Sequence, residues 1–289
     1  MDEARPEDDK TPAEDAVEAE DEPPPPPATD DQVALAEEPG LWLPDEPARM
    51  VFHGVGFSFV QHGRSAWVHR LRLPEDDDDD VQRVVNHIDA ILSIRNLHEA
   101  TWWLGERTTP GYLADHLVEL GLEPGDPPEM RSLTIAKAPV GEPEAEVDVR
   151  RVSTLEELLR ALEIDWEAFG IAEDERELRR EEAKEGWPRY QVDGTLSTSL
   201  AYVEEEPVGF ARDVFTRHGV LMLGGATLPA ARGQGVYTAL VLARWRHAAE
   251  RGVQRLVVSA GPQSAPILEY LGFEPIGRVR LLRQTVTGA

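Results

Sequence analysis

The sequence predicts a mixed α/β fold in two consecutive units, and three observations lead to this expectation. Strand-like apolar runs alternate with segments whose apolar residues fall at helical spacing. A Pro-, Gly- and Glu-rich stretch at 138–146 interrupts the pattern and predicts a linker. The run Leu120-Gly121-Leu122-Glu123-Pro124 returns 151 positions later as Leu271-Gly272-Phe273-Glu274-Pro275, which indicates an internal repeat.

Composition narrows the function classes. The 289 residues include 55 Asp and Glu, 29 Lys and Arg and no Cys, for a net charge of −26. Without cysteine there is no disulfide, cysteine nucleophile or thiolate site. The histidines do not show the His-Glu-x-x-His spacing of a zinc site, so we expect no metal. Nucleic acid is a poor partner, because affinity for it comes largely from Lys and Arg.

No stretch approaches the roughly 18 apolar residues of a spanning helix, and the N-terminus is acidic where a signal peptide is basic and apolar. We therefore expect a cytoplasmic protein with no membrane partner.

Residues 1–38 carry 15 acidic residues against only Arg5 and Lys10, together with five consecutive prolines. We expect a disordered acidic tail, because this composition buries too little apolar surface to offset the entropy of ordering. Its role stays open between a solubilising leader and an interaction arm for a basic partner.

The first unit, 41–138, is predicted to be a hairpin followed by two helix and strand pairs. The elements are strands at 50–61 and 65–73, a helix from Val81, a strand at 100–104, a helix capped by Thr109-Pro110 and ended by Gly121, and a strand at 130–136.

The second unit, 144–289, is predicted in the order β-α-α-β-β-β-α-β-α-β. The elements are a strand at 147–152, a helix with the capping box Ser153 to Glu156, a charged helix at 173–184, strands at 196–204, 207–217 and 220–228, a helix at 233–251, a strand at 255–260, a helix at 265–271 and terminal strands at 273–286.

One loop carries the functional information. It lies between the strand ending at Leu228 and the following helix, and it contains Gly233 and Gly235. Free N–H groups at a helix N-terminus, with about +0.5 charge, favour a pyrophosphate. From glycine spacing alone, an ordinary turn before an amphipathic helix explains the loop equally well.

The wider sequence resembles the GCN5-related N-acetyltransferase (GNAT) family. The run Arg232-Gly233-Gln234-Gly235-Val236-Tyr237 is similar to the family's coenzyme A loop, R/Q-x-x-G-x-G/A, except at the last position. Residues 264–273, ending in Gly272-Phe273, are similar to its second motif, and 227–237 resembles actinobacterial members. The resemblance covers about half of the chain. It implies an acyl-CoA N-acyltransferase fold in 144–289, preceded by a degenerate GNAT-like copy in 41–138.

The resemblance also implies a chemistry. Acetyl-CoA would be the co-substrate, and its acetyl group would pass directly to a primary amine of a small molecule, without an acyl-enzyme. The backbone near Leu228 would polarise the thioester carbonyl. The implied cofactor-binding residues are Leu228, Arg232, Gly233, Gln234, Gly235, Val236 and Tyr237.

Two departures from the family limit this chemistry. Leu268 stands where the second motif often has a tyrosine that protonates the thiolate, and Tyr270 lies about 200° around the helix from it. The strand at 220–228 lacks the carboxylate that some members use as a base. The alternative is therefore a non-catalytic CoA-binding or regulatory protein of the GNAT fold.

Three further side chains are candidates for the acceptor side. Asp165 and Glu167 lie where this fold lines its acceptor pocket, as either amine contacts or a solvated helix face. Ser259 is either a contact to pantetheine or acceptor, or an ordinary strand hydroxyl.

The repeat offset maps Asp76 to Asp80 onto residues 227–231. Carboxylates repel a pyrophosphate, so we expect the first copy to bind no CoA. The acceptor's identity and the oligomeric state, a homodimer included, are left open by the sequence.

Overall fold

The computed structural model describes residues 27–44, 49–74, 78–142 and 146–286. Within them lie seven α-helices: α1 (Asp30–Glu37), α2 (Asp78–Arg95), α3 (Leu113–Glu119), α4 (Leu155–Ala168), α5 (Glu173–Asp193), α6 (Val236–Glu250) and α7 (Ala265–Tyr270). The strands are β1 (Val51–Gly54), β2 (Phe57–His62), β3 (Ser65–His69), β4 (Glu99–Leu104), β5 (Glu123–Ile135), β6 (Asp148–Arg151), β7 (Leu196–Val203), β8 (Glu206–Thr216), β9 (Gly219–Thr227), β10 (Leu256–Ala260) and β11 (Glu274–Thr285).

All eleven strands form one mixed sheet in the order β1-β2-β3-β4-β11-β5-β10-β9-β8-β7-β6. Two neighbouring pairs are parallel, β3 with β4 and β9 with β10, and the others are antiparallel. The predicted mixed α/β class and the element order of the second unit are confirmed.

The two halves of the chain exchange their last strands. β5 lies between β11 and β10, while β11 lies between β4 and β5. β5 and β11 begin 151 positions apart, and α3 and α7 precede them at nearly the same interval. The predicted repeat is therefore visible in the topology, and each copy completes the other's half of the sheet.

The helices cover both faces of the second half. On β8, Phe210 packs against α4 while Ala211 packs against α6, so these two helices lie on opposite faces. α1 lies on the α4 face, where its buried Leu35 contacts Leu221 and Val257.

The expected disordered tail is wrong for residues 30–38. Thr29 and Gln32 form a capping box at the start of α1, and Leu35 and Ala36 are fully buried. The average composition of 1–38 hides this short apolar run, whose burial against the sheet compensates for its ordering. Residues 1–26 of that prediction lie outside the described part.

Several boundaries differ from expectation: β5 begins at Glu123 and not at 130, and α5 continues to Asp193 and not only to 184. The run at 50–61 is split into β1 and β2 at Gly56, whose φ is +78°. α3 begins at Leu113 without Thr109 as its cap, because the Thr109 backbone pairs with Leu71 and Leu73. The capping box of α4 uses Thr154 and Glu157, one residue later than predicted.

His69, at the end of β3, is fully buried between Trp67 and Trp103, with ring centroids 5.9 and 5.5 Å away. Burial, aided by Arg70, lowers the pKa of His69 from 6.5 to about 3. The imidazole is therefore neutral in the folded protein at pH values where the unfolded chain protonates it.

A His69→Gln variant tests this titration. Between pH 6.5 and 3 only the unfolded state of the wild type gains a proton. The free energy of unfolding therefore decreases by about 1.4 kcal/mol for each unit by which the pH is lowered. We expect the free energy of unfolding of the wild type, relative to the variant, to drop by about 2 kcal/mol between pH 7.5 and 5. Urea titrations at both pH values measure it, and a pH-independent difference would contradict the buried neutral histidine.

Candidate functional site

A gap opens in the sheet between β9 and β10. The two strands pair only at Leu256 with Val220 and at Val257 with Leu221. Beyond this point β9 remains paired with β8 up to Thr227, with an irregularity in register next to Asp213. The carboxyl-terminal ends of the parallel strands therefore diverge, which is where open α/β sheets bind ligands.

A cavity of about 550 Å³ lies at this gap and reaches both faces of the sheet. Ala168 and Phe169 at the end of α4 line it on one face, and Ser264 and Ile267 of the α7 region line it on the other. Gly225 to Thr227 of β9 and the residues before α6 form the wall between them.

The register of β8 and β9 decides which backbone groups face the gap. The N–H of Leu228 donates to the carbonyl of Val208 at 2.8 Å, so it is already used by the ladder. The expected role of the Leu228 amide is therefore wrong. Because N–H groups alternate along a strand, those of Gly225 and Thr227 point away from β8, into the gap.

The loop before α6 presents unpaired amides to the cavity. Gly233 and Gly235 have φ values of +76° and +72°, conformations that glycine adopts without strain. α6 has no side-chain cap, and within the described residues the N–H groups of 233–238 donate to no protein acceptor. These groups, with the helix dipole, form an anion site of the kind expected at a helix N-terminus.

Side chains of the predicted loop divide between the cavity and the loop itself. Arg232 lines the cavity with an exposed side chain whose Nε lies 3.4 Å from the Thr227 carbonyl. Gln234 lies outside the lining, and its side chain donates to the Ala230 carbonyl at 3.2 Å. Arg232 is thus the cation available to a ligand, while Gln234 supports the loop.

A buried ion pair braces the wall of the cavity. Arg244 Nε of α6 lies 2.8 Å from Asp213 Oδ1 of β8, with both side chains buried. The Arg244 guanidinium also donates to the carbonyls of Gly224 and Arg212. Burial raises the pKa of Asp213 to about 6, against the lowering effect of Arg244. The pair fixes β9 immediately before Gly225.

Tyr237 contributes its side chain to the cavity in addition to the backbone amide expected from the sequence. Its ring lines the cavity and lies beside Gly225, and its hydroxyl interacts with Ser264 and Arg244. Burial raises the pKa of Tyr237, so the phenol keeps its proton at neutral pH. Leu268 is completely buried in the core, whereas Tyr270 lies at the cavity rim with 77% exposure.

The three acceptor-side candidates have different surroundings. Glu167 is exposed and does not line the cavity. Ser259 donates to the Ala36 carbonyl at 2.9 Å, so α1 covers it and separates it from the cavity. Asp165 also lies outside the cavity lining, but its carboxyl is more enclosed than that of Glu167, and burial raises its pKa against the lowering effects of Arg212 and Arg179.

Neither metal binding nor membrane spanning is indicated by the part of the chain that the structure describes. No group of three His, Asp or Glu side chains there is arranged to hold a metal ion. None of the described helices combines the length and apolarity needed to cross a bilayer.

Comparisons with known proteins agree with this geometry. Residues 134–264 match the family model of the acetyltransferase (GNAT) domain. A GCN5-related N-acetyltransferase from Kribbella flavida aligns at 19% identity with a TM-score of 0.64, covering 88% of this chain and 94% of that one. A tandem GNAT protein from the clavulanic acid biosynthesis pathway aligns at 15% identity and a TM-score of 0.55, covering 85% and 86%. A search of curated sequences gave no match.

The fold and the diverging strands with their glycine loop define a GNAT-type acyltransferase. Residues 134–264 match the GNAT acetyltransferase domain, and the described part of the chain shares its fold with the tandem GNAT protein.

Proposed function

We propose that the protein transfers the acetyl group of acetyl-CoA directly to a primary amine of a small molecule. The observation that carries the proposal is the set of unpaired amides at 233–238, which opens on a cavity passing between β9 and β10. One end of this cavity suits a pyrophosphate and the other is open to an acceptor.

The residues present fit acetyl-CoA as the donor. The amides of 233–238 would hold the pyrophosphate, with Arg232 beside it. The N–H groups of Gly225 and Thr227, rather than that of Leu228, are the donors that face the gap and would polarise the thioester carbonyl. The amine nitrogen would attack the carbonyl carbon of the thioester. The C–N bond forms, and the C–S bond breaks as the thiolate of CoA leaves.

Proton transfer has two candidate groups. The amine must lose a proton, and Asp165, which lies outside the cavity lining in the last turn of α4, would take it through water. The thiolate must gain one, and the protonated Tyr237 hydroxyl is the acid on the cavity wall. Tyr237 would thus replace the tyrosine that is absent at Leu268.

Replacing Tyr237 by Phe tests this assignment and keeps the backbone amide. We expect kcat to fall about 30-fold, less than for an obligatory acid, because a thiol with pKa near 8.5 leaves partly unaided. Acetyl-CoA affinity should change less than threefold. Tyr270→Phe, at the rim of the same cavity, is the matched control and should retain kcat; equal rates for both variants would remove Tyr237 from the mechanism.

The alternative is a GNAT-fold protein that binds CoA without catalysis. Leu268 and the absence of a carboxylate from β9 favour it. Release of free CoA, measured while primary amines of different charge and size are screened with acetyl-CoA, separates the two. Amine-dependent release supports transfer, whereas tight acetyl-CoA binding with no release from any amine supports the binder.

The division into 41–138 and 144–289 remains part of the proposal, as do the cytoplasmic location and the lack of a CoA site in the first copy. Two observations support the lack of a CoA site in the first copy. Asp79 and Asp80 lie in the first turn of α2, the counterpart of α6. The Glu37 carboxylate accepts N–H groups of Glu106 and Arg107, just after β4, so an anion already occupies the end of the parallel strand pair.

A further inference from the structure

A second cavity lies at the other end of α6. Its volume is about 610 Å³, and α5, β6, β7 and the last turn of α6 surround it. The side chains that define its chemistry are Arg151, Ser197, His247, Arg251, Trp187 and Tyr190. His247 lies eleven positions after Val236 on the same helix, so about 16 Å separates this cavity from the loop at 233–238.

The charge of this cavity is opposite to that of the protein. Among the described residues, neither Arg151 nor Arg251 has a carboxylate oxygen within 4.0 Å. Arg151 Nη1 instead lies 3.1 Å from His247 Nε2, and the Arg251 guanidinium lies 3.7 Å above the Phe215 ring. Two guanidinium groups without a carboxylate at ion-pair distance thus flank one histidine, on which Glu250 also acts, in a chain of net charge −26.

His247 is held as a neutral imidazole. An arginine can only donate, so Nε2 accepts from Arg151 and the proton is assigned to Nδ1, which lies 3.3 Å from Ser197 Oγ. Burial and then Arg151 and Arg251 lower the pKa of His247. The histidine therefore positions Arg151 without adding a charge, and the guanidinium retains free N–H groups for a ligand.

An aromatic surface completes the cavity. Trp187 and Tyr190 of α5 stack with ring centroids 5.4 Å apart and an angle of 18° between their planes. Both rings line the cavity and are partly accessible. A planar apolar group can extend such a stack, while carboxylate or phosphate oxygens match the fork geometry of arginine.

We propose that this cavity binds a small organic anion, with its carboxylate or phosphate at Arg151 and Arg251 and a planar group against Trp187 and Tyr190. The site is separate from the acyl-CoA cavity and does not depend on the acetyl-transfer proposal. It gives the domain a second ligand.

Calorimetric titration of the full chain tests the site with three probes of matched shape: phenyl phosphate, benzoate and neutral benzamide. We expect millimolar or tighter binding of at least one anion and no detectable binding of benzamide. The anion should bind equally well in saturating acetyl-CoA, because the two cavities are separate. Loss of binding in acetyl-CoA, or equal binding of benzamide, would overturn the proposal.

Two neighbouring arginines provide a matched pair of variants. Arg150 is next to Arg151 on the other side of β6, where it pairs with Asp148 at 2.6 Å and Glu205 at 3.2 Å. Arg151→Gln should weaken the anion at least tenfold and Arg150→Gln less than twofold, although both remove the same charge. Arg251→Gln is the second test if the Arg151 variant does not fold. No anion binding at 10 mM by the folded wild type, or equal losses for the 150 and 151 variants, would contradict the site.

Discussion

Replacing Gly233 by Asp is expected to weaken acetyl-CoA binding at least 30-fold. A side chain fits at this position, because no atom lies within 4 Å of where its Cβ would be. The φ of +76° is also one that Asp and Asn tolerate better than most residues. The new carboxylate would face the pyrophosphate, at a cost of about 2 kcal/mol or more, hence at least a 30-fold weaker Kd.

Two controls separate charge from shape and position. Gly233→Asn has nearly the same size without the charge, so we expect it to bind at least tenfold more tightly than the Asp variant. Gly252→Asp adds the same charge at an equally open glycine with φ of +73°, but after the C-terminus of α6, and should retain wild-type affinity. Calorimetry with acetyl-CoA measures all three, and equal affinities at position 233 for Asp and Asn would exclude an anion there.

Replacing Arg244 by Met is expected to lower the free energy of unfolding by about 3 kcal/mol, because it leaves the Asp213 carboxylate buried without its partner. It also removes the contacts that hold the Gly224 and Arg212 carbonyls, so acetyl-CoA binding should weaken as well. Arg246→Met, on the exposed side of the same helix, should cost less than 0.5 kcal/mol.

The stability deficit of the Arg244→Met variant depends on pH in a defined direction. The folded pKa of Asp213 is raised from 3.8 to about 6, and it rises further when Arg244 is absent. At pH 5 the variant therefore buries a neutral carboxyl, whereas at pH 8 it must either bury the charge or remain protonated at a cost. We expect the stability deficit to be smaller at pH 5 than at pH 8, by about 1 kcal/mol or more.

A double variant separates loss of the pair from loss of packing. Asp213→Leu together with Arg244→Met replaces both charges by apolar groups and should recover at least half of the lost stability. Denaturant titrations at both pH values provide the numbers. A single Arg244 variant within 0.5 kcal/mol of wild type at pH 8 would contradict a bracing role for the ion pair.

The glycine loop could be found in the sequence because its signals are local. Gly233 and Gly235 mark the left-handed turn, and the apolar periodicity after Val236 marks the helix. Which strand amide faces the gap was not predictable in this way. It depends on the register of β8 and β9, and therefore on pairing across a hairpin with an irregularity next to Asp213.

The exchange of β5 and β11 and the docking of α1 were missed for a related reason. Both depend on contacts between residues more than 120 positions apart, such as Arg131 with Arg278 and Ala36 with Ser259. Periodicity identifies a strand but not its neighbour in the sheet. The capping-box pattern of Thr29 and Gln32 and the apolar pair Leu35 and Ala36 were local signals for α1, but the acidic composition around them concealed both.

A crystal structure of the protein with CoA would test the central claim most directly. The account predicts diphosphate oxygens at hydrogen-bonding distance, about 2.7–3.2 Å, from backbone nitrogens in 233–238, with the pantetheine arm entering between β9 and β10. A diphosphate bound elsewhere, with those nitrogens facing only solvent, would contradict it.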